Sequence, residues 1–393
     1  MPENLSRRSL IRKLVAATAV GIIPLPPLRA RAEQAANGTT GQERGQLNRL
    51  AWTFAKSFSA PALSVAIGRN GQFVHNQTIG MADRKNLQQA VESSLFRIAS
   101  LSIPITAVTI FTLIEKSQIH LSDKVFGLSG VLGTKYGNPP YQRYVADVTV
   151  DHLLTHTAGG WTADSTDPMF RDNSWDQTKL ISWTLQNLPL SNPPGSNWAF
   201  SNFGYCVLGR IIEQVTGQPY LSYVQANILA PCGISDMAIA RNKQGEHAPN
   251  EVTYYGQYSE DPYKMNITRM DSAAGWIASP SDLVIFLDHV GGVAGVPSLL
   301  KPETIQSMTT PTPAFPQSSP AKYARGWMVR TDAPGTFWHN GSLAGSTSIM
   351  VRTSTGMCWA ALTNTRTEPH ETIDSSMDEM MWNMVRTVPA WGA

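Results

Sequence analysis

Strand signals stand at both ends of this 393-residue chain, with a long helical block between them. Near the start, Ala62-Leu63-Ser64-Val65-Ala66-Ile67 and Phe73-Val74-His75-Asn76-Gln77-Thr78 flank Arg69-Asn70-Gly71. Asn-Gly between two β-prone runs is a strong hairpin signal. Near the end come Thr336 to His339, Ser346 to Arg352 and Met357 to Thr363, the last two joined by the turn Thr353-Ser354-Thr355-Gly356. From Val148 to Leu229 the pattern is helical, broken by turns such as Pro193-Pro194-Gly195. A chain so arranged is a discontinuous α/β domain. The terminal strands form one antiparallel sheet flanked by helices, and residues 148–300 form an inserted all-α lobe. A pocket is expected in the cleft between the two. Leu47, Leu50, Ala51, Phe54 and Phe58 recur at helical spacing, which predicts a helix from Gln42 to Phe58. Further helices are expected over Pro104 to Lys116 and Ile373 to Val385, and a surface loop over Thr309 to Pro320.

The first 32 residues read as an address. Ser6-Arg7-Arg8-Ser9-Leu10-Ile11-Arg12-Lys13 is a twin-arginine pattern, followed by an apolar run from Leu14 to Ile23 and the Ala30-Arg31-Ala32 cleavage signature. Gly21 and Pro24 break the run well short of the ~20 residues a spanning helix needs. Residues 33–393 are then the exported domain, bound for the periplasm or beyond, with no transmembrane segment in the mature chain. The whole chain carries 31 Lys+Arg against 29 Asp+Glu, but the leader holds six of the bases and one acid. The mature part has 25 against 28, a net −3. It offers no basic stripe, so nucleic-acid binding is not expected. Cys206, Cys232 and Cys358 are far apart and odd in number, without a metal-binding spacing, and read as buried thiols. There is no Gly-x-Ser-x-Gly elbow, His-Glu-x-x-His pair or phosphate loop, and no cofactor or metal is implied.

The chemistry-bearing signals are Ser100-Leu101-Ser102-Ile103 ahead of a helix, Phe200-Ser201-Asn202 ahead of Leu208-Gly209-Arg210, and His339-Asn340-Gly341-Ser342. With Leu153-Leu154-Thr155-His156-Thr157-Ala158-Gly159-Gly160 and Ser272-Ala273-Ala274-Gly275-Trp276, their order and spacing resemble the penicillin-recognising serine hydrolases: serine β-lactamases, DD-peptidases and family VIII esterases. The resemblance implies a β-lactamase-like fold. It further implies Ser100 as acyl-accepting nucleophile, the Ser100 and Ser342 N–H groups as an oxyanion hole, and Asn202, Asn340, Gly341 and Ser342 as substrate contacts. Its partner would be a small acyl compound or peptide. Two positions depart from the family. Ser-x-x-Lys has Ile103 in place of lysine, and Tyr-x-Asn has Phe200 in place of tyrosine.

Those departures remove the two groups that handle the serine proton. A serine hydroxyl is a weak nucleophile until a base takes that proton, and Ser102 and Ser201 are poor bases near neutrality. The losses are mutually consistent. Removing one partner of a buried charged pair costs about 3–5 kcal/mol, whereas replacing both by apolar groups of similar bulk can be neutral. An oxyanion hole alone retains roughly 10³–10⁴-fold over water in serine proteases. His339 is the residue able to restore proton transfer; it serves either as the base or as a contact to substrate or backbone. His156 reads as a structural histidine in a framework turn. Three readings stay open: an acyl ester or amide hydrolase or acyltransferase with a non-standard base, a catalytically silent binding protein, and a non-hydrolytic reaction in the remodelled cleft.

Overall fold

The computed structural model describes residues 39–391, apart from Ser165, Tyr258 and Ser259. The twin-arginine leader expected at residues 1–32 lies outside the described residues. Asn70 and Gly71 both take positive φ, 49° and 78°, the geometry of a tight hairpin turn. They join β1 (Ala62–Arg69) to β2 (Gln72–Asp83), and a short β3 (Gln88–Gln89) pairs beyond β2. The chain's other end supplies β7 (Ala321–Tyr323), β8 (Met328–Arg330), β9 (Phe337–Leu343), β10 (Ser346–Arg352) and β11 (Met357–Thr363). All these strands join one antiparallel sheet in the order β3-β2-β1-β11-β10-β9-β8-β7. β11, buried along its whole length, pairs with β1 and welds the two sequence ends together.

The outer face of the sheet is covered by α1 (Gly41–Ser57) and by the last helix, His370–Thr387. α1 opens with a capping box between Thr40 and Glu43. Leu47 and Phe54 from α1 and Met377 and Met381 from the last helix bury against Val65, Ile67 and Trp359. On the inner face lies the larger core, built around α2 (Ser102–Glu115), α3 (Val150–Leu154), α4 (Gln177–Asn187), α5 (Asn202–Thr216), α6 (Tyr220–Val224), α7 (Asp271–Ala274) and α8 (Pro280–Val290). Among the described residues no helix is long and apolar enough to cross a membrane.

The region 148–300 is not purely helical. Within it β6 (Trp276–Ala278) is the centre of a second, small sheet, pairing with β5 (Ala238–Ile239) on one side and with β4 (Phe96–Arg97) on the other. Strands of two or three residues leave no alternation for a sequence to display. The loop over Thr309 to Pro320 follows α9 (Pro302–Met308), and the last helix, now α10, begins three residues before the expected Ile373. Cys206, Cys232 and Cys358 are free and buried, as the sequence suggests.

Candidate active site

Ser100 sits in a single 3-10 turn, Ala99–Leu101, immediately ahead of α2. The residue before it, Ala99, has φ 48°, a left-handed conformation that costs a non-glycine residue of order 1–3 kcal/mol and persists only when its surroundings enforce it. The enforcement is visible on three sides. Ser348 Oγ donates to Ile98 O at 2.7 Å, and Ser346 Oγ donates to Arg97 O at 2.5 Å, both from β10. The Ile98 N–H donates to Trp276 O at 3.0 Å on β6. Ser102 Oγ closes the turn by donating to Ala99 O at 2.7 Å. Pro104 falls in the first helical turn, where its missing N–H is not needed.

The turn is pressed against β9. A Cβ at Gly341 would lie 2.5 Å from Ile98 O and 3.0 Å from Ser100 N, so only glycine lets the Ser100 N–H approach the strand. Ser100 and Gly341 are thereby brought together, while the Ser342 side chain, two residues beyond Asn340, points to the other face of the strand. Asn340 does not join them either. Successive side chains of a strand point to opposite faces, and Asn340 is exposed with its amide 3.4 Å from Asp374 of α10, on the far face of the sheet. The sequence expectation that Asn340 binds substrate is therefore corrected. Both altered motif positions are apolar where a proton carrier would stand. Ile103 is fully buried, and Phe200 is half-buried with its ring centroid 4.4 Å from that of His156 and 6.3 Å from that of His339. The Ser100 hydroxyl accepts from and donates to no described side chain.

Behind Phe200 lies a buried chain of hydrogen bonds whose protons can be assigned. The Ser201 N–H donates to His156 Nδ1 at 3.2 Å, so His156 carries its proton on Nε2. That Nε2–H faces the Tyr323 hydroxyl at 2.8 Å. At the far end His339 Nδ1 donates to Asn340 O at 2.6 Å, leaving a lone pair on Nε2. The Tyr323 hydroxyl approaches this lone pair at 3.5 Å, the outer limit of a hydrogen bond. Burial holds both imidazoles neutral: His339 is lowered to about 4, and His156 is pushed well down, with His339 adding to the effect. Burial likewise pushes the Tyr323 and Tyr205 hydroxyls up, so neither is a phenolate near neutrality. The framework histidine is satisfied, as its turn position implied, and it orients Tyr323, a residue the sequence motifs did not single out.

Asn202 opens α5 but does not offer a free amide. Its Nδ2 donates to Asp167 Oδ2 at 2.8 Å. Asp167 Oδ1 accepts from the Met169 N–H at 2.9 Å, and the residue is 3% exposed. Burial raises the Asp167 carboxyl to about 6. The sequence carried one local sign of it: Asp before Pro168 is a helix-start pair. A cavity of about 430 Å³ is walled by Phe170, Asn173, Met265, Leu343 and Ala344, with Glu260, Asp261, Lys264 and Arg366 also lining it.

A serine on a strained turn at a helix start, facing strand β9 between an antiparallel sheet and a helical region, defines a serine-hydrolase-like class of fold. The family model described as Beta-lactamase matches residues 47–377, and the chain belongs to the beta-lactamase family. It is 29% identical over 250 residues to penicillin-binding protein 4* of Bacillus subtilis, covering 60% of this chain and 49% of that protein. It is 30% identical over 188 residues to esterase EstB of Burkholderia gladioli, covering 43% and 45%. The chain thus spans about half the length of these relatives. Among solved structures, D-amino acid amidase from Ochrobactrum anthropi SV3 in complex with L-phenylalanine amide superposes with a TM-score of 0.71 at 20% identity, over 89% of this chain and 100% of that one.

Proposed function

We propose that this protein transfers acyl groups through Ser100, slowly, from activated esters or amides of small acyl compounds. The observation that carries this reading is the strained, three-sided clamp that sets Ser100 against Gly341 with its hydroxyl unencumbered. Strain of that kind collects at working sites. The names of its relatives, an esterase and a penicillin-binding protein among them, support the same substrate range.

Ser100 Oγ attacks the carbonyl carbon, forming the Oγ–C bond while the hydroxyl proton passes to His339 Nε2. The bond from carbon to the leaving oxygen or nitrogen breaks, and the leaving group takes that proton. Water then adds, the acid departs, and Ser100 regains its hydrogen. His339 suits the role in tautomer, because Nδ1–H is held by Asn340 O and the lone pair lies on Nε2. It is handicapped in strength, because a base works best with a pKa near the operating pH and burial holds this one at about 4. Acylation therefore demands a good leaving group, and deacylation, in which the same weak base must activate water, is the slower step. A twin-arginine leader would deliver the protein to the periplasm or beyond.

A second reading, a silent binding protein, is favoured by one observation: both His339 nitrogens have protein neighbours and neither is Ser100. Hydrolysis of p-nitrophenyl esters against pH separates them. The wild type is expected to gain activity as the pH rises through about 4, where His339 loses its proton, and then to level off. His339→Ala should cost about 10²-fold in kcat/KM. An unchanged rate in the variant removes His339 from the reaction.

A further inference from the structure

The Asp167–Asn202 pair reverses the role that the Asn202 amide was expected to play. An ionised carboxylate only accepts hydrogen bonds. Asp167 spends Oδ1 on the Met169 N–H and Oδ2 on Asn202 Nδ2, which forces the nitrogen end of Asn202 toward the protein. Asn202 Oδ1 takes no hydrogen bond from any described residue, and the residue keeps 7% exposure. Asn202 follows Phe200 and Ser201, whose ring and N–H stand beside His156 and, for the Phe200 ring, His339, so the residue belongs to the same wall.

We propose that Asp167 is a positioning residue that presents Asn202 to the cleft as an acceptor, so that the site selects acyl donors carrying an N–H close to the scissile carbonyl. This rests on the acyl-transfer reading of Ser100. The pair also makes the selection reversible. With a proton on Asp167, the carboxyl donates instead, and Asn202 gains by turning its oxygen inward and its NH₂ outward. Burial raises Asp167 to about 6, with Asp164 adding to the rise and the Asn202 amide, the Met169 N–H and Arg269 opposing it. The carboxylate therefore prevails above that pH and the protonated form below it.

Asp167→Asn is the informative substitution. The Met169 N–H can only donate, so the new side chain must give it oxygen and turn its own NH₂ toward Asn202. That inverts Asn202 at every pH. The probes are N-acetylglycine p-nitrophenyl ester and acetoxyacetic acid p-nitrophenyl ester, which differ in one N–H replaced by oxygen, with Ser100→Ala as blank. At about pH 8 the wild type should prefer the N–H ester roughly tenfold in kcat/KM, the scale of one hydrogen bond. The preference should collapse toward unity at about pH 5, and Asp167→Asn should show the collapsed ratio throughout. A purely structural Asp167 would lower both rates together and leave the ratio intact, which would overturn the proposal. An activity-independent readout is the side-chain NH₂ resonance of Asn202 in isotope-labelled protein. It should titrate near pH 6 in the wild type and not in Asp167→Asn. A flat resonance in the wild type also overturns the proposal. If neither ester exceeds the blank, the acyl-transfer reading fails while the resonance still decides this one.

Discussion

Ile103→Lys combined with Phe200→Tyr is expected to raise ester hydrolysis by about 10²–10⁴-fold, the range that positioned acid–base groups supply. Neither single change should do so. Ile103 is fully buried among apolar neighbours. A lone ammonium there is desolvated, which drives its pKa down and destabilises the fold by several kcal/mol. Phe200→Tyr alone adds a half-buried hydroxyl beside two neutral imidazoles and gives the serine no stronger base than His339. Together the phenol and the amine share a proton and satisfy each other. The double change should therefore exceed the sum of the singles in activity, and should recover part of the stability that Ile103→Lys loses. Steady-state kinetics and urea midpoints on the four proteins measure both. A double variant no better than the better single would mean that these positions do not face one another across the serine.

Arg269→Met should cost about 4 kcal/mol or more, the largest loss of stability expected from one polar side chain here. Arg269 is 2% exposed, and its guanidinium donates to four backbone carbonyls: Asp172 and Trp175 from Nη1 at 2.7 and 2.9 Å, Met169 and Arg171 from Nη2 at 2.7 Å each. Leaving a buried acceptor unmatched costs roughly 1–3 kcal/mol, and four are stranded at once. Arg269→Lys should recover only part, because one ammonium has three donors and no fork to reach both pairs of carbonyls. The consequence reaches the cleft, since the loop so held carries Asp167 and Phe170. Urea denaturation and limited proteolysis within residues 168–175 test this. A loss below about 1 kcal/mol with an intact loop would contradict it.

Much of the fold was legible because its signals are local. The Asn70-Gly71 turn and the apolar run of β11 state their own geometry, and β10 and β11 begin and end at the expected residues. That strands from the two sequence ends share one sheet was legible; that β1 and β11 are the strands that pair was not. What escaped is long-range. Asp167 meets Asn202 across 35 residues, Tyr323 meets His156 across 167, and Arg269 reaches carbonyls 94–100 residues away. No spacing rule announces such contacts. Asn340 was misplaced for a different reason. It belongs to a motif by sequence, but the two-residue period of β9 sends it to the face opposite His339. The role expected of Asn202 also changed, because its partner Asp167 lies in no motif.

The proposed chemistry needs a serine that accepts an acyl group and passes it on with difficulty. Mixing the protein with p-nitrophenyl acetate while following released nitrophenolate and intact protein mass tests this most directly. A burst of about one equivalent is expected, with one acetyl group on Ser100 that persists through slow turnover and is absent from Ser100→Ala. Rapid steady hydrolysis that survives His339→Ala, or the absence of any acetyl group on Ser100, would contradict it.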